Sequence, residues 1–305
     1  MCRLYTKIRL IRLLVSFLAF YSNANGQDQL RQINVGLEIR EYIVHVPSKS
    51  FKKEKLPVVF VFHGGGGSAR RTVPSLGMNP VADTAGFLVV YPNGLQKGWN
   101  DGREVKKHTH DDIGFIRALL EKIKTDFPVD EQRVFATGIS NGGFFSFALA
   151  LHLSDKFRAI APVCATIPTV LFDNYSPNKA VSLLLINGTK DPLVPYDGGE
   201  VGGKLFKNRG RCTGTKETIS KFLMLNGCNG NVTTSALPNR DTNDECTATR
   251  FVYTCANGSD VQLIQVEGGG HTWPGGKQYL GKRIVGRVCR DFSASAEVWD
   301  FFRKF

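Results

Sequence analysis

The chain has 305 residues, 42% of them hydrophobic and 10% aromatic, which is enough apolar side chain to bury a large core and excludes a disordered polymer. Lys and Arg number 39 against 27 Asp and Glu. The basic residues are scattered, with Lys52-Lys53-Glu54-Lys55 and Lys106-Lys107 the densest groups, so they read as solvated faces rather than a stripe that tracks phosphates. No nucleic-acid partner is expected, and weak attraction to an acidic polymer surface is the use that the charge suggests.

Residues 1–26 carry Arg3, Lys7, Arg9 and Arg12, no acid, an apolar run over 13–21 and small residues at Ala24 and Gly26. That order of basic, apolar and small residues predicts a secretory signal cleaved near Gly26, too short to span a bilayer. Its loss lowers the formal charge from +12 to +8. The mature protein is expected to be secreted, extracellular or periplasmic, without a membrane association.

In chain order, residues 40–46 alternate as a half-exposed strand, and 57–62 form a continuous apolar run of the kind buried on both faces of a parallel sheet. Similar short runs follow at 86–91, 133–137, 159–163, 181–186 and 261–266, each closed by Gly, Pro or Asn. Between them lie helical patterns. One runs from Asp111 or Asp112 to about Asp126, with Ile113, Ile116, Leu120 and Ile123 on one face and the Asp pair as N-cap. Others follow Ser140, occupy 215–225 before Gly227, and close the chain from about 293 to 305. Alternating strand and helix predict an α/β protein, its mostly parallel central sheet covered by helices on both faces.

Once Cys2 leaves with the signal, six cysteines remain: Cys164, Cys212, Cys228, Cys246, Cys255 and Cys289. The even number, in an exported chain, favours disulfides, although spacing does not choose among the pairings. No closely spaced Cys or His pair has the pattern of a zinc site, so neither a metal nor a cofactor is expected.

The chemistry gathers around Gly138-Ile139-Ser140-Asn141-Gly142, a G-x-S-x-G pattern preceded by a buried strand and followed by a helix. A nucleophile elbow needs that context, because the serine must project from a tight strand-to-helix turn. Serine is a weak nucleophile at neutral pH and needs a base, which in such a fold comes last in the order Ser, acid, His. Only His271 lies beyond a later strand, in Gly268-Gly269-Gly270-His271-Thr272-Trp273. Asp191, where the 181–186 run meets a turn before Pro192, fits the acid; Asp173 and Asp197 are rivals. His63-Gly64-Gly65-Gly66-Gly67 ends the first buried run, so N–H groups near Gly64 or Gly65, together with that of Asn141, suit an oxyanion hole. Trp99 and Trp273 could stack on an aromatic acyl group or a sugar, or pack in the core.

With these motifs, Tyr91-Pro92-Asn93-Gly94, Gly98-Trp99-Asn100-Asp101, Gly188-Thr189-Lys190-Asp191-Pro192 and Gly270-His271-Thr272-Trp273-Pro274-Gly275, the chain resembles the secreted α/β-hydrolase esterases of the poly(3-hydroxybutyrate) depolymerase and feruloyl esterase group over about residues 42–305. The resemblance implies an α/β-hydrolase fold, a triad of Ser140, Asp191 and His271, and a Cys228 to Cys255 disulfide. A single catalytic domain over 27–305 is expected, with a Cys-rich insertion around 196–258, where residues 212–246 depart from the plainest members of the group by being longer and richer in Cys and Asn. Residues 212–246 are expected to cap the cleft beside Ser140.

The activity expected is a serine esterase acting through an acyl-enzyme on feruloyl or other acyl esters of polysaccharide, or on short polyester oligomers. A polyhydroxybutyrate depolymerase is the alternative; an acyltransferase, a peptidase and a non-catalytic carbohydrate-binding protein rank lower. Solid-polyester degraders commonly carry an extra binding domain, and the chain stops after its last helix, so soluble or accessible esters are favoured.

Overall fold

The computed structural model describes residues 26–48, 55–103, 105, 109–255 and 258–305, so the expected signal lies, apart from Gly26, outside the described residues. The strands are β1 (Gln27–Val35), β2 (Glu38–Val46), β3 (Leu56–Phe62), β4 (Leu88–Pro92), β5 (Val129–Ile139), β6 (Ala159–Val163), β7 (Ser182–Gly188), β8 (Gly199–Glu200), β9 (Arg211–Cys212), β10 (Cys228–Ala236), β11 (Thr247–Cys255) and β12 (Asp260–Glu267). All but β8 and β9, which form a separate two-stranded ribbon, join one sheet in the order β1-β2-β4-β3-β5-β6-β7-β12-β11-β10. The centre, from β4 through β12, is parallel, and the outer strands at both edges are antiparallel.

The apolar runs are continuous because consecutive residues face opposite cores. Val58, Phe60 and Phe62 of β3 enter one cluster and Val59 and Val61 the other. The first cluster is roofed by α3 (Asp112–Asp126), α4 (Asn141–His152) and α6 (Thr215–Leu225). The second lies under α1 (Ala69–Leu76), α2 (Met78–Ala85) and α8 (Ala294–Phe302), where Phe87 stacks on Trp299 and Phe135 on Phe302 with ring centroids 4.0 and 4.5 Å apart. Two four-residue turns of helix, α5 (Thr169–Phe172) and α7 (Lys282–Val285), complete the set. Among the described residues no helix is long and apolar enough to cross a membrane.

The two aspartates that open α3 divide their work. Asp111 is the N-cap, its carboxylate accepting from the Gly114 N–H at 2.8 Å. Asp112 turns inward. One of its oxygens accepts from the Arg40 guanidinium at 2.6 Å and the other from the Asn100 N–H at 2.7 Å. Arg40 is fully buried and stacks 3.9 Å over the Phe115 ring.

The segment around 196–258 contributes the β8–β9 ribbon, α6 and the edge strands β10 and β11. β10 is exposed along almost its whole length and has no apolar face, so nothing in its sequence announces a strand. Its register is pinned at Cys228 opposite Cys255, and these two form a disulfide. Cys164, Cys212, Cys246 and Cys289 are free and buried.

Removing the Asp112 carboxylate leaves the buried guanidinium with only exposed Glu38, 3.5 Å away, as counter-charge. Asp112→Ala is therefore expected to cost about 3–5 kcal/mol of unfolding free energy, read from urea denaturation. A loss under about 1 kcal/mol would show that Arg40 finds another anion or water.

Candidate active site

Ser140 stands between the end of β5 and the start of α4 with φ 57° and ψ −122°, a backbone conformation that a residue with a side chain rarely adopts. The turn is tight because its neighbours lack side chains. A Cβ on Gly138 would lie 2.6 Å from the Phe62 carbonyl oxygen, and one on Gly142 would strike the same carbonyl group. The Ser140 N–H is anchored to the Val163 carbonyl of β6 at 2.9 Å, and the Ser140 carbonyl accepts from the Phe144 N–H in the first turn of α4.

Asp191 and His271 meet across 80 residues of sequence. His271 Nδ1 lies 2.7 Å from Asp191 Oδ2, and both side chains are only 3% exposed. A carboxylate accepts only, so Nδ1 carries the hydrogen and Nε2 is left as the free acceptor. The other Asp191 oxygen accepts from the Leu193 and Val194 N–H groups, both at 2.8 Å, which fixes the carboxylate in the turn after β7. The His271 loop is held by its own backbone: the His271 N–H donates to Val285 O, and the Tyr279 hydroxyl donates to His271 O at 3.1 Å. Neither rival acid, Asp173 nor Asp197, contacts the imidazole among the described hydrogen bonds.

Cys164, which sequence reasoning counted only as a disulfide candidate, sits at the end of β6 beside this pair. Its Sγ donates to Thr272 O at 3.3 Å, and burial, then the Asp191 charge, push the thiol well above its ordinary pKa. It therefore stays a neutral thiol. Cys164, Asp191 and His271 offer donor atoms within 4.8 Å of one another, but each already has a protein partner.

The glycine loop after β3 packs against the elbow. A Cβ on Gly64 would lie 3.5 Å from Ser140 Cβ, and one on Gly65 would lie 3.8 Å from Asn141 Cβ. Gly66 and Gly67 donate to the carbonyls of Lys97 and Gly64, so Gly64 and Gly65 hold the loop's remaining N–H groups. His63 braces it: Nε2 accepts from the Gly94 N–H at 3.0 Å, which puts the hydrogen on Nδ1, and Nδ1 donates to Gly64 O at 2.8 Å. At the start of α4 the Asn141 N–H has no intrahelical acceptor.

The Asn141 side chain points away from the cleft. Its carbonyl accepts from the Trp99 N–H at 2.8 Å, and its amide donates to Trp99 O at 3.0 Å and to Asp101 Oδ2 at 2.6 Å. Asp101 also holds the Arg103 guanidinium at 2.6 Å, and Arg103 stacks 4.0 Å over Phe144 and donates to Arg209 O. Trp99, considered for substrate stacking, belongs instead to the core. It is fully buried, stacks on Phe145 with centroids 5.0 Å apart, and donates its indole N–H to His63 O. Trp273 borders the cleft but is itself buried in the second core cluster, its indole N–H donating to Ser295 Oγ.

Ser140, Asn141, Gly64, Gly65, His271 and Trp273 open on one cleft of about 860 Å³. Its rim carries exposed Phe206, Tyr279 and Leu280. The cap expected over 212–246 is not there: none of the lining residues falls in that segment, and the wall comes from 193–209 just before it. The reason is topological, because α6 packs on the sheet and β10 lies at its far edge, beyond β12 and β11.

A mostly parallel sheet with helices on both faces, and a serine elbow at the carboxyl end of one central strand, define an α/β-hydrolase. The family model described as "Putative esterase" matches residues 38–195, just over half of the chain, and the chain belongs to that family. It is 30% identical to the "Putative esterase NocK" of Nocardia uniformis subsp. tsuyamanensis over 290 residues, covering 91% of this chain and 83% of that protein. It is 32% identical to the "Probable feruloyl esterase C" of Aspergillus terreus over 216 residues, covering 68% of this chain and 76% of that one. The acetyl xylan esterase of Aspergillus awamori superposes on 91% of this chain and all of its own length with a TM-score of 0.59 at 14% identity, which shows a shared fold. The protein is a carboxylic ester hydrolase.

Asn141→Ala keeps the backbone N–H but leaves buried Asp101 and the Trp99 main chain short of partners. A loss of about 1–3 kcal/mol in chemical denaturation is expected. Unchanged stability would mean that water replaces the amide.

Proposed function

We propose that Ser140, His271 and Asp191 act as a catalytic triad that cleaves esters through an acyl-enzyme. The observation that carries the reading is the buried His271 to Asp191 hydrogen bond on the same cleft as the strained Ser140. Ser140 Oγ attacks the ester carbonyl carbon while His271 Nε2 takes its proton. The tetrahedral oxyanion is met by the N–H groups of Gly64 or Gly65 and of Asn141, the latter reinforced by the N-terminus of α4. Collapse expels the alcohol, which receives the proton from Nε2. Water, deprotonated by the same nitrogen, then attacks acyl-Ser140, and the acid leaves as the serine regains its proton. Asp191 fixes the tautomer and stabilises the imidazolium without itself taking the proton.

The substrate class proposed is an aryl-acyl ester of polysaccharide, a feruloyl ester above all. The exposed ring of Tyr279 together with Phe206 and Leu280 supplies an apolar, partly aromatic seat for the acyl group, and the similarity to a feruloyl esterase supports the same reading. We also propose export to an oxidising compartment, supported by the Cys228 to Cys255 disulfide and by the basic, then apolar, order of residues 1–26.

Ser140→Ala removes the nucleophilic oxygen and little packing, so kcat on methyl ferulate should fall on the order of a millionfold with unchanged circular dichroism. Asp191→Asn, which supplies a donor where an acceptor is needed, should cost about ten-thousandfold. Activity of Ser140→Ala within tenfold of the natural protein would sink the triad.

A further inference from the structure

Five cationic side chains line the cleft: Arg70, Arg71, Arg103, Arg209 and Lys277. No Asp or Glu does so among the described residues. Acids number 27 against 39 basic residues in the whole chain, so a lining drawn from the average surface would include carboxylates. Arg103 is neutralised by Asp101, and the other four have no ion-pair partner among the described residues. They come from three separate segments: the start of α1, the turn before β9 and the loop after His271. Arg70, Arg71 and Lys277 are exposed, and Arg209 is half-buried.

Unpaired charges of one sign around a concave, low-dielectric site focus the field and raise the local concentration of the opposite charge. The apolar rim at Phe206, Tyr279 and Leu280 suits a neutral acyl group, so the cations are left for the alcohol side of the ester. From this we infer that the cleft selects esters carried on an anionic sugar, that is, on uronate-bearing polysaccharide. This rests on the proposed esterase site and adds a charge requirement to it.

The test compares kcat/KM on matched pairs: acetylated methyl xyloside against acetylated methyl glucuronoside, and para-nitrophenyl hexanoate against para-nitrophenyl hydrogen adipate, with para-nitrophenyl acetate as the neutral reference. The uronoside should be preferred by about tenfold at low ionic strength, and the preference should shrink to about twofold in half-molar salt, where the Debye length falls to a few ångströms. Arg70→Gln/Arg71→Gln/Lys277→Gln should collapse the uronoside-to-xyloside ratio toward one. Equal rates on the sugar pair, or a salt-independent preference, overturn the inference, as does a preference confined to the adipate pair, which would place the anion on the acyl side. Absent turnover of para-nitrophenyl acetate would instead count against the esterase site.

A second inference rests on a different observation. The Sγ atoms of Cys246 and Cys289 lie within 4.8 Å of each other and both residues are buried. Asp244 is close enough to complete a three-donor metal group, but its carboxylate oxygens already accept from the Cys246 and Arg290 N–H groups at 2.7 and 2.6 Å. The geometry points to a second disulfide, Cys246 to Cys289. A disulfide donor such as oxidised glutathione supplies the oxidant: the two thiols lose two electrons and two protons, and the donor is released as two thiols.

The bridge would tie the start of β11 to the stretch that supports the His271 loop, where Cys289 O accepts from the Gly275 N–H at 2.8 Å. After incubation of the protein with oxidised glutathione, denaturing alkylation and unreduced peptide mapping should show linked Cys246 and Cys289 peptides, with Cys164 and Cys212 alkylated. Alkylation of Cys246 and Cys289 to the same extent as Cys164 and Cys212 overturns the bridge.

Discussion

The crossing of β5 into α4 at Ser140 is the constraint on which the site depends. A side-chain-bearing residue at φ 57° costs on the order of 1–3 kcal/mol, and it persists only where the surroundings over-determine it. Here they do so from several sides. The Phe62 carbonyl presses against Gly138 and Gly142, the Val163 carbonyl holds the Ser140 N–H, and α4 carries ten consecutive buried residues that cannot shift without opening the core. The strain is therefore offset by burial on a scale that a local turn could not supply.

Beneath the elbow, the Asn141, Trp99, Asp101 and Arg103 network extends the same logic into polar groups. Four segments meet there: the helix start, the loop after β4, the wall that carries Arg209, and through the Trp99 indole the carbonyl of His63. A buried network of this kind favours one arrangement because any half-formed version leaves a charge or an amide unpaired. It sets the glycine loop and the elbow at a fixed separation, the preorganisation that the proposed oxyanion donors would need.

Much of this was legible in the sequence, and for identifiable reasons. The central strands declare themselves as continuous apolar runs because both faces are buried, and the G-x-S-x-G spacing is readable because glycine is the one residue that two backbones can touch. The edge strands were not legible. β10 is exposed along nearly its whole length, and β1 covers one face only partly, with polar Gln29 and Arg31 sharing that face with Ile33 and Val35, so neither shows a clean apolar alternation and their strand state comes from pairing with β11 and β2. Trp99 misled for a related reason. An aromatic beside a motif looks the same in sequence whether it faces the cleft or packs under the elbow, and only the Phe145 stack and the His63 carbonyl decide. Asp112 and Arg40, and the thiol of Cys164, bear no local pattern because their partners are distant in the chain.

The order of the sheet explains where those distant partners meet. β5, β6, β7 and β12 are consecutive neighbours running parallel, so the residues that follow their carboxyl ends, Ser140, Cys164, Asp191 and His271, stand in a row at one edge. The row places Cys164 between the elbow and the acid, where a charged or large side chain would disturb the Asp191 carboxylate and a small neutral thiol does not. It also leaves His271 last, on a loop held by the turn after β7 and by its own returning chain. That position accounts for the restraint on both sides of it: the backbone bonds of Gly270 and His271 to Arg287 and Val285 and the Tyr279 hydroxyl on the His271 carbonyl downstream, and the Gly188 backbone packed against Gly269 from β7. The imidazole is therefore held from two directions, by Asp191 at its ring and, through its backbone, by the segment that follows it in sequence as far as Arg287.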